Sequence, residues 1–269
     1  MQYDPIKRSL GEVFNHNPML RKLFYRLLNL LLLRTWHIHR ELKAWAKKSP
    51  ANPEILDAGM GFGQYSWYMA RLFPSCNITA VDVKEEQVAD CNNFFSQTGV
   101  NHRVKAMVGD LTTYMEPEKY DLVLCVDVME HIEPDVQVFK NYVASMKKGG
   151  MLLISTPSDQ GGSDVHDDGE TSFIEEHVRD GYNVNDMAEK LKVAGFSKSE
   201  ILYSYGTPGK ISWRLSMKYP ILLLGKSKAF FIILPFYYLL FFPFCYVLNY
   251  LDANMKHSTG TGLIVKAWK

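Results

Sequence analysis

The 269-residue chain is poor in cysteine and rich in nothing that would pair it: Cys76, Cys91, Cys125 and Cys245 are widely spread and form no CxxC. Cys125 sits inside an apolar run, so the thiols read as reduced and buried, in a reducing compartment. An excess of charge of either sign is missing too. The 30 Lys plus Arg balance 29 Asp plus Glu to a formal +1, which removes the global field that draws proteins onto nucleic acid. The opening MQYDPIKRSL lacks the basic-then-apolar order of a secretory signal. Neither an internal repeat nor a low-complexity linker is visible. No preorganised metal set is expected either, because His166, Asp167 and Asp168 are adjacent in sequence and cannot arrange themselves tetrahedrally.

What the chain does have is a change of texture near residue 53. Before it, residues 18–48 carry a helical pattern in which Leu20, Leu23, Phe24, Leu27, Leu28 and Leu31 recur every three to four positions among Arg21, Lys22, Arg26 and Arg34. This segment is either an amphipathic lid on a catalytic domain or a basic interfacial helix, since both bury one apolar face. After it, short β-rich runs at 54–57, 78–83, 104–108, 120–126 and 151–155 alternate with helical stretches at 64–73, 85–97 and 135–147. Strands apolar on both faces and joined by helix-length connections predict a doubly wound, mostly parallel sheet covered on both sides. A helix at 185–194, a run at 198–205 and a last strand at 261–268 complete seven strands.

The sharpest local signal is Leu56-Asp57-Ala58-Gly59-Met60-Gly61-Phe62-Gly63, an apolar strand entering a glycine-rich turn that leads into a helix. Gly59, Gly61 and Gly63 permit a tight turn and close approach of a nucleotide-like ligand. Gln64 occupies the sixth position, where the dinucleotide fingerprint needs glycine, and no Lys-Ser or Lys-Thr follows, which excludes a P-loop. Asp82 ends the second strand, and Asp110 with Leu111 ends the third. Carboxyl ends of neighbouring strands line the crevice of an open α/β sheet, so Asp82 is placed to accept from ribose hydroxyls and Asp110 from an adenine amine. The fourth strand runs into Asp127, Val128, Glu130 and His131.

These motifs, with Val81-Asp82-Val83, Gly109-Asp110-Leu111 and 121–132, resemble those of the class I S-adenosylmethionine (SAM)-dependent methyltransferases, the ubiquinone and menaquinone biosynthesis group above all. The resemblance covers roughly residues 53–156. It implies a Rossmann-like methyltransferase fold with SAM as cofactor. It also implies that Asp57 orients the methionine end, Gly59, Gly61 and Gly63 pass beneath it, and Asp82 with Val83 holds the ribose. Asp110 and Leu111 would meet the adenine, and Asp127 and Val128 would line the cofactor near the sulfonium. The family fixes no universal catalytic residue. Alignment of the two reactants supplies much of the acceleration in methyl transfer, and His131, His166 and His177 are the candidate bases should a proton need removal.

Residues 229–251 hold no charged side chain over 23 positions and would span about 35 Å as a helix. One complete crossing would strand the last β-run on the far side of a bilayer, and Pro235 and Pro243 should break or kink the helix. A hydrophobic cap or broken hairpin dipping into one leaflet is therefore expected, rimmed by Lys210, Arg214, Lys218, Lys226 and Lys228; a dimer interface and a true span are the alternatives. The expected divisions are a lid or anchor at 1–50, a SAM-binding core at 51–206, the insertion at 207–258 and a terminal strand at 259–269. The expected protein is cytoplasmic, peripheral at the inner face of a membrane, and methylates O or C of a lipophilic acceptor such as a quinone, prenylated phenol, lipid or polyene precursor. A methyltransferase for RNA and a SAM-binding scaffold without turnover are the competing readings, and the neutral charge offers the RNA reading nothing.

Overall fold

In the computed structural model, which describes residues 17–161, 178–227 and 230–269, the central strands are buried on both faces with a period of two. Strand β4 (Tyr120–Val126) turns Leu122 and Leu124 into one core and Val123 and Cys125 into the other. Strand β5 (Met146–Pro157) divides Met151 and Leu153 from Leu152 and Ile154 in the same way. Burial of this kind requires helices on each side, and the alternation of strands with helices supplies them.

Among the described residues two helices come first, α1 (Pro18–Leu31) and α2 (Leu33–Ala46). The sheet then runs through β1 (Glu54–Ala58), α3 (Gln64–Leu72), β2 (Asn77–Asp82), α4 (Glu85–Gln97), β3 (Val104–Val108), β4, α5 (Asp135–Ser145), β5, α6 (Val184–Ala194) and β6 (Lys198–Ser204). A helical excursion of α7 (Thr207–Trp213), a π-helical turn (Arg214–Lys218), α8 (Tyr219–Lys226) and α9 (Phe230–Asn254) precedes β7 (Gly262–Trp268). The seven strands lie in the order β3-β2-β1-β4-β5-β7-β6, with β7 antiparallel to both β5 and β6 and the other pairs parallel. Strand order reverses between β1 and β4. That switch point leaves a crevice at the carboxyl ends of the strands, where the glycine turn sits.

The fold thus matches the sheet, the N-terminal helices and the apolar insertion expected from sequence, with three local differences. The single helical pattern of 18–48 is interrupted at Leu32, whose backbone is extended (φ −86°, ψ 112°). Tertiary contact sets that break: Leu33 and Ile38 turn into the core, and Arg34 turns to the strand ends. Strand β5 begins five residues before the expected run, reaching back to pair Met146 with Tyr120 across an irregularity in register. Finally, Pro235 and Pro243 both lie inside one continuous α9, each costing it one i→i−4 bond. The outgoing arm stays helical from Thr207 to Lys226 but widens into the π-helical turn, where the Tyr237 hydroxyl donates to the Leu215 carbonyl (2.7 Å) and that of Tyr238 to the Ser216 carbonyl (2.8 Å).

One buried carboxylate fastens this helical hairpin to the sheet. Asp252, near the end of α9 and inaccessible to solvent, accepts from the Tyr205 N–H (3.1 Å) and the Gly209 N–H (2.9 Å), and its Oδ1 lies 2.8 Å from His37 Nε2 on α2. Burial opposes ionisation of this carboxyl, but His37, His257 and the Gly209 N–H outweigh it and hold its pKa below the usual value. Replacing Asp252 by Ala strands three donors in the interior, so unfolding in urea should show a loss of about 3 kcal/mol, with the slope of the transition unchanged.

Candidate functional site

The turn after β1 is held by backbone groups of its neighbour strand. The N–H groups of Gly59 and Met60 both donate to the Val81 carbonyl (2.8 and 3.1 Å), and Gly63 N–H closes onto the Met60 carbonyl (2.9 Å). Gly59, Gly61 and Gly63 all have positive φ, at 76°, 50° and 72°. Their surroundings differ. A Cβ on Gly59 would lie 2.3 Å from Val128 Cγ2, and one on Gly63 would lie 2.9 Å from Cys91 Sγ, whereas nothing stands within 4 Å of the corresponding point on Gly61. The turn is thus packed at both ends and open in the middle, the shape a ligand needs for close approach to main chain.

Asp82 ties this turn to the end of β2. Its Oδ2 accepts from Gly61 N–H (2.9 Å) and its Oδ1 from Lys84 N–H (3.0 Å). Each carboxylate oxygen keeps a further lone pair for an incoming hydroxyl. Val83, just beyond, is exposed. Asp110 closes a turn with its own neighbour, Oδ1 accepting from Thr112 N–H and Thr112 Oγ1 (both 2.8 Å), while Leu111 beside it is buried and its carbonyl accepts from Asn141 Nδ2 (2.9 Å). Helix α1 covers the turn from outside: Arg21 Nη2 donates to the Phe62 carbonyl (2.9 Å), and the Tyr25 hydroxyl donates to the same oxygen.

Asp57 lies beneath the turn, 2 % exposed, and accepts from Ser66 Oγ at 2.5 Å. Among the described residues no cation pairs with it. Burial pushes its pKa up to about 7, with the Ser66 bonds opposing and Asp82 adding repulsion. Glu130 is the second buried carboxyl of the region, 1 % exposed and bonded by Thr156 Oγ1 (3.1 Å); burial first, and Asp127 second, raise it to about 8.

Beyond β4, Asp127 has left-handed backbone (φ 51°) and its N–H donates to the Ser155 carbonyl (2.8 Å). Its carboxylate pairs with Arg34 of α2. Burial works against the charge on Arg34, and Asp127 overrides it, holding the guanidinium protonated. The Arg34 N–H in turn donates to the Tyr205 hydroxyl (3.0 Å). The structure therefore brings Asp57, Gly59, Gly61, Gly63, Asp82, Asp127 and Val128 to one end of the sheet, and Asp110 and Leu111 to the adjoining strand end. His131, on the one-turn 3-10 helix Met129–His131, is exposed. His166 and His177 lie outside the described residues. Sequence reasoning missed Arg34, Tyr205 and the burial of Glu130. Arg34 stood in a run of basic residues with nothing local to single it out, and its partners lie 93 and 171 residues away.

Comparison with known proteins places this geometry. Residues 55–150 match the model of a family described as Methyltransferase domain. The chain is 33% identical over 113 residues to a ubiquinone biosynthesis O-methyltransferase of Xanthomonas axonopodis pv. citri, covering 41% of this chain and 46% of that protein. It is 31% identical over 103 residues to the protein of the same name in Rickettsia felis, covering 38% and 41%. The chain thus spans less than half the length of these curated relatives. Among solved structures it resembles phosphoethanolamine N-methyltransferase 2 of Haemonchus contortus in complex with S-adenosyl-L-methionine (TM-score 0.58, 19% identity, 86% of this chain and 52% of that one). It also resembles an S-adenosylmethionine dependent methyltransferase of Mesorhizobium loti (TM-score 0.54, 15% identity, 86% and 96%) and the cyclase SpnF (TM-score 0.57, 17% identity, 86% and 80%). These three likenesses concern the fold, which hosts more than one chemistry.

The raised Asp57 carboxyl gives the ligand-free protein a signature. The folded state keeps the Asp57 proton up to about pH 7, whereas the unfolded chain releases it near 4, so this group lowers stability progressively as pH climbs between those values and contributes no further change above. A carbon-13 titration should place one carboxyl midpoint near 7, and Asp57→Asn should remove both that midpoint and the matching slope in stability. A midpoint near 4 in the parent protein contradicts the burial argument.

Proposed function

We propose, from the premise that this chain is a class I SAM-dependent methyltransferase related to the ubiquinone O-methyltransferases, that it methylates oxygen or carbon of a lipophilic small molecule taken from a membrane surface. The observation that carries the cofactor half of this reading is the buried Asp57 carboxyl beneath a turn that is open only over Gly61. A buried carboxyl with no cation beside it is costly when ionised, and a cationic ligand removes that cost. Asp57 would hold the methionine end, Asp82 the ribose diol, Asp110 and the Leu111 backbone the adenine, and Asp127 and Val128 the wall near the sulfonium. When bound, S-adenosylmethionine supplies a methyl group already activated by positive sulfur. The chain's own task is then to align an acceptor with that carbon and keep water away from it.

The lipophilic half rests on the hairpin. Among the described residues α9 is the one helix long and apolar enough to cross a membrane by length and composition. Little of it is covered: Ile232, Phe236 and Leu239 are 75 %, 71 % and 78 % exposed. Leu20, Leu23 and Leu27 of α1, and Ile221 and Leu222 of α8, are exposed as well. Apolar surface on this scale calls for a nonaqueous neighbour, and Lys210, Arg214 and Lys218 on the outgoing arm suit one with anionic headgroups. The hairpin leaves the sheet after β6 and returns at β7, which matches an element resting in one leaflet.

Two measurements test the halves separately. Asp82→Ala removes the acceptor for two hydroxyls, so calorimetry should record SAM affinity weakened by about 10- to 100-fold in a protein that still melts cooperatively; unchanged affinity rejects the ribose assignment. The parent protein should float with phosphatidylglycerol-containing vesicles in a sucrose gradient and far less with vesicles of phosphatidylcholine alone. Failure to float with either would remove the membrane from the reading.

A further inference from the structure

Of the three non-glycine residues with left-handed backbone among those described, two meet at Arg34: Asp127 (φ 51°) through its carboxylate, and Tyr205 (φ 55°) through its hydroxyl. Backbone of this kind persists only where its surroundings over-determine it, and it gathers at sites of function. Here each strained residue has a second tether. Asp127 N–H is tied to the Ser155 carbonyl, and Tyr205 N–H to Asp252, so each is held independently of Arg34. Helix α2 delivers Arg34 just after the break at Leu32.

The pair is built but not sealed. The Arg34 and Asp127 side chains retain 37 % and 30 % of their exposure, at the strand end that the methyltransferase reading assigns to the reacting methyl group. A guanidinium offers five N–H donors, and its bonds to Asp127 and to the Tyr65 hydroxyl leave others for a further oxygen. An unpaired cation here would repel a sulfonium; pairing with Asp127 cancels that repulsion while keeping the donors. Around it stand Tyr65 from α3, Tyr205 after β6, and Asp127 and the buried Glu130 after β4, so Arg34 is the cation of this group.

We propose that Arg34 binds the reacting oxygen of the acceptor as an oxyanion and so selects acidic hydroxyls, such as phenols and enols, over amines. The inference rests on the methyl-transfer reading above. An amine is a poor fit because a guanidinium only donates: it would either repel an ammonium or occupy the lone pair that must attack. A hydroxyl has pairs to spare. It binds as the oxyanion with its proton left in bulk solvent, Arg34 holds that oxygen, and the oxygen forms the O–CH3 bond as the S–CH3 bond breaks and leaves its electron pair on sulfur.

The test uses 4-nitrocatechol, whose visible absorbance reports its ionisation, bound to protein saturated with S-adenosylhomocysteine. In the parent protein its midpoint should fall by about one unit or more relative to free solution, and Arg34→Gln should return it to the free value. Labelled methyl transfer to octyl gallate should drop about 100-fold in Arg34→Gln and recover in part in Arg34→Lys, while transfer to octylamine stays negligible throughout. SAM affinity, measured by calorimetry, should stay within about threefold of the parent in both variants, and both should melt cooperatively, which separates this role from a structural one. An unshifted midpoint or no nitrocatechol binding in the parent overturns the assignment, as does a shift that survives in Arg34→Gln. If the parent itself fails to bind SAM, the methyl-transfer reading falls first and takes this inference with it.

Discussion

The hydrogen bond from Gly61 N–H to Asp82 joins two strand ends that the chain reaches 21 residues apart, and the site depends on it. A glycine turn alone is floppy in the unfolded chain and would lose much entropy on ordering. Here the Val81 carbonyl and the Asp82 carboxylate take the turn's N–H groups, and Val128 and Cys91 pack against its outer glycines. The open middle is what remains once every other side of the turn has been occupied. It is set by the parallel pairing of β1 with β2, in which Ala58 stands opposite Val81.

Around this centre the N-terminal helices and the hairpin behave as one cover. Arg21 and Tyr25 clasp the glycine turn, Arg34 reaches the end of β4, and His37 joins α2 to Asp252 at the base of α9. Trp36 of α2 also meets Tyr246 of α9 edge-on, with ring centroids 4.9 Å apart. Successive turns of α2 thus touch the crevice and the apolar hairpin.

Much of the sheet was legible because its signals are local. Runs such as Leu122 to Cys125 are apolar at every position, and only a strand covered on both faces accommodates that. Asp57, Gly59, Asp82 and Asp127 could be assigned to a common edge because strand polarity alone puts them there. The break at Leu32 was not legible, since the leucine repeat continues through it and only the tertiary placement of Arg34 and Leu33 decides against a longer helix. Nor was the continuity of α9: proline predicts a lost hydrogen bond, and a lost bond need not end a helix that has 25 residues to carry it. The chemistry-bearing side chains next to His131 show how far burial escapes sequence reading. An imidazole draws notice because it titrates near neutrality, and His131 is exposed; Glu130 beside it, unremarkable in sequence, is buried and shifted.

The position of β7 between β5 and β6 bears on how the molecule is made. Translation delivers α9 before β7, so the ribosome exposes 25 residues of greasy helix while the sheet still has a gap in it. Until Gly262–Trp268 emerge to fill that gap, β5 and β6 each present an unpaired edge beside an apolar rod. Early capture of the rod, by a lipid surface or a chaperone, would keep nascent chains apart at the moment they are most prone to aggregate, which makes the order of synthesis a reason for the hairpin to find its neighbour before the protein has finished folding.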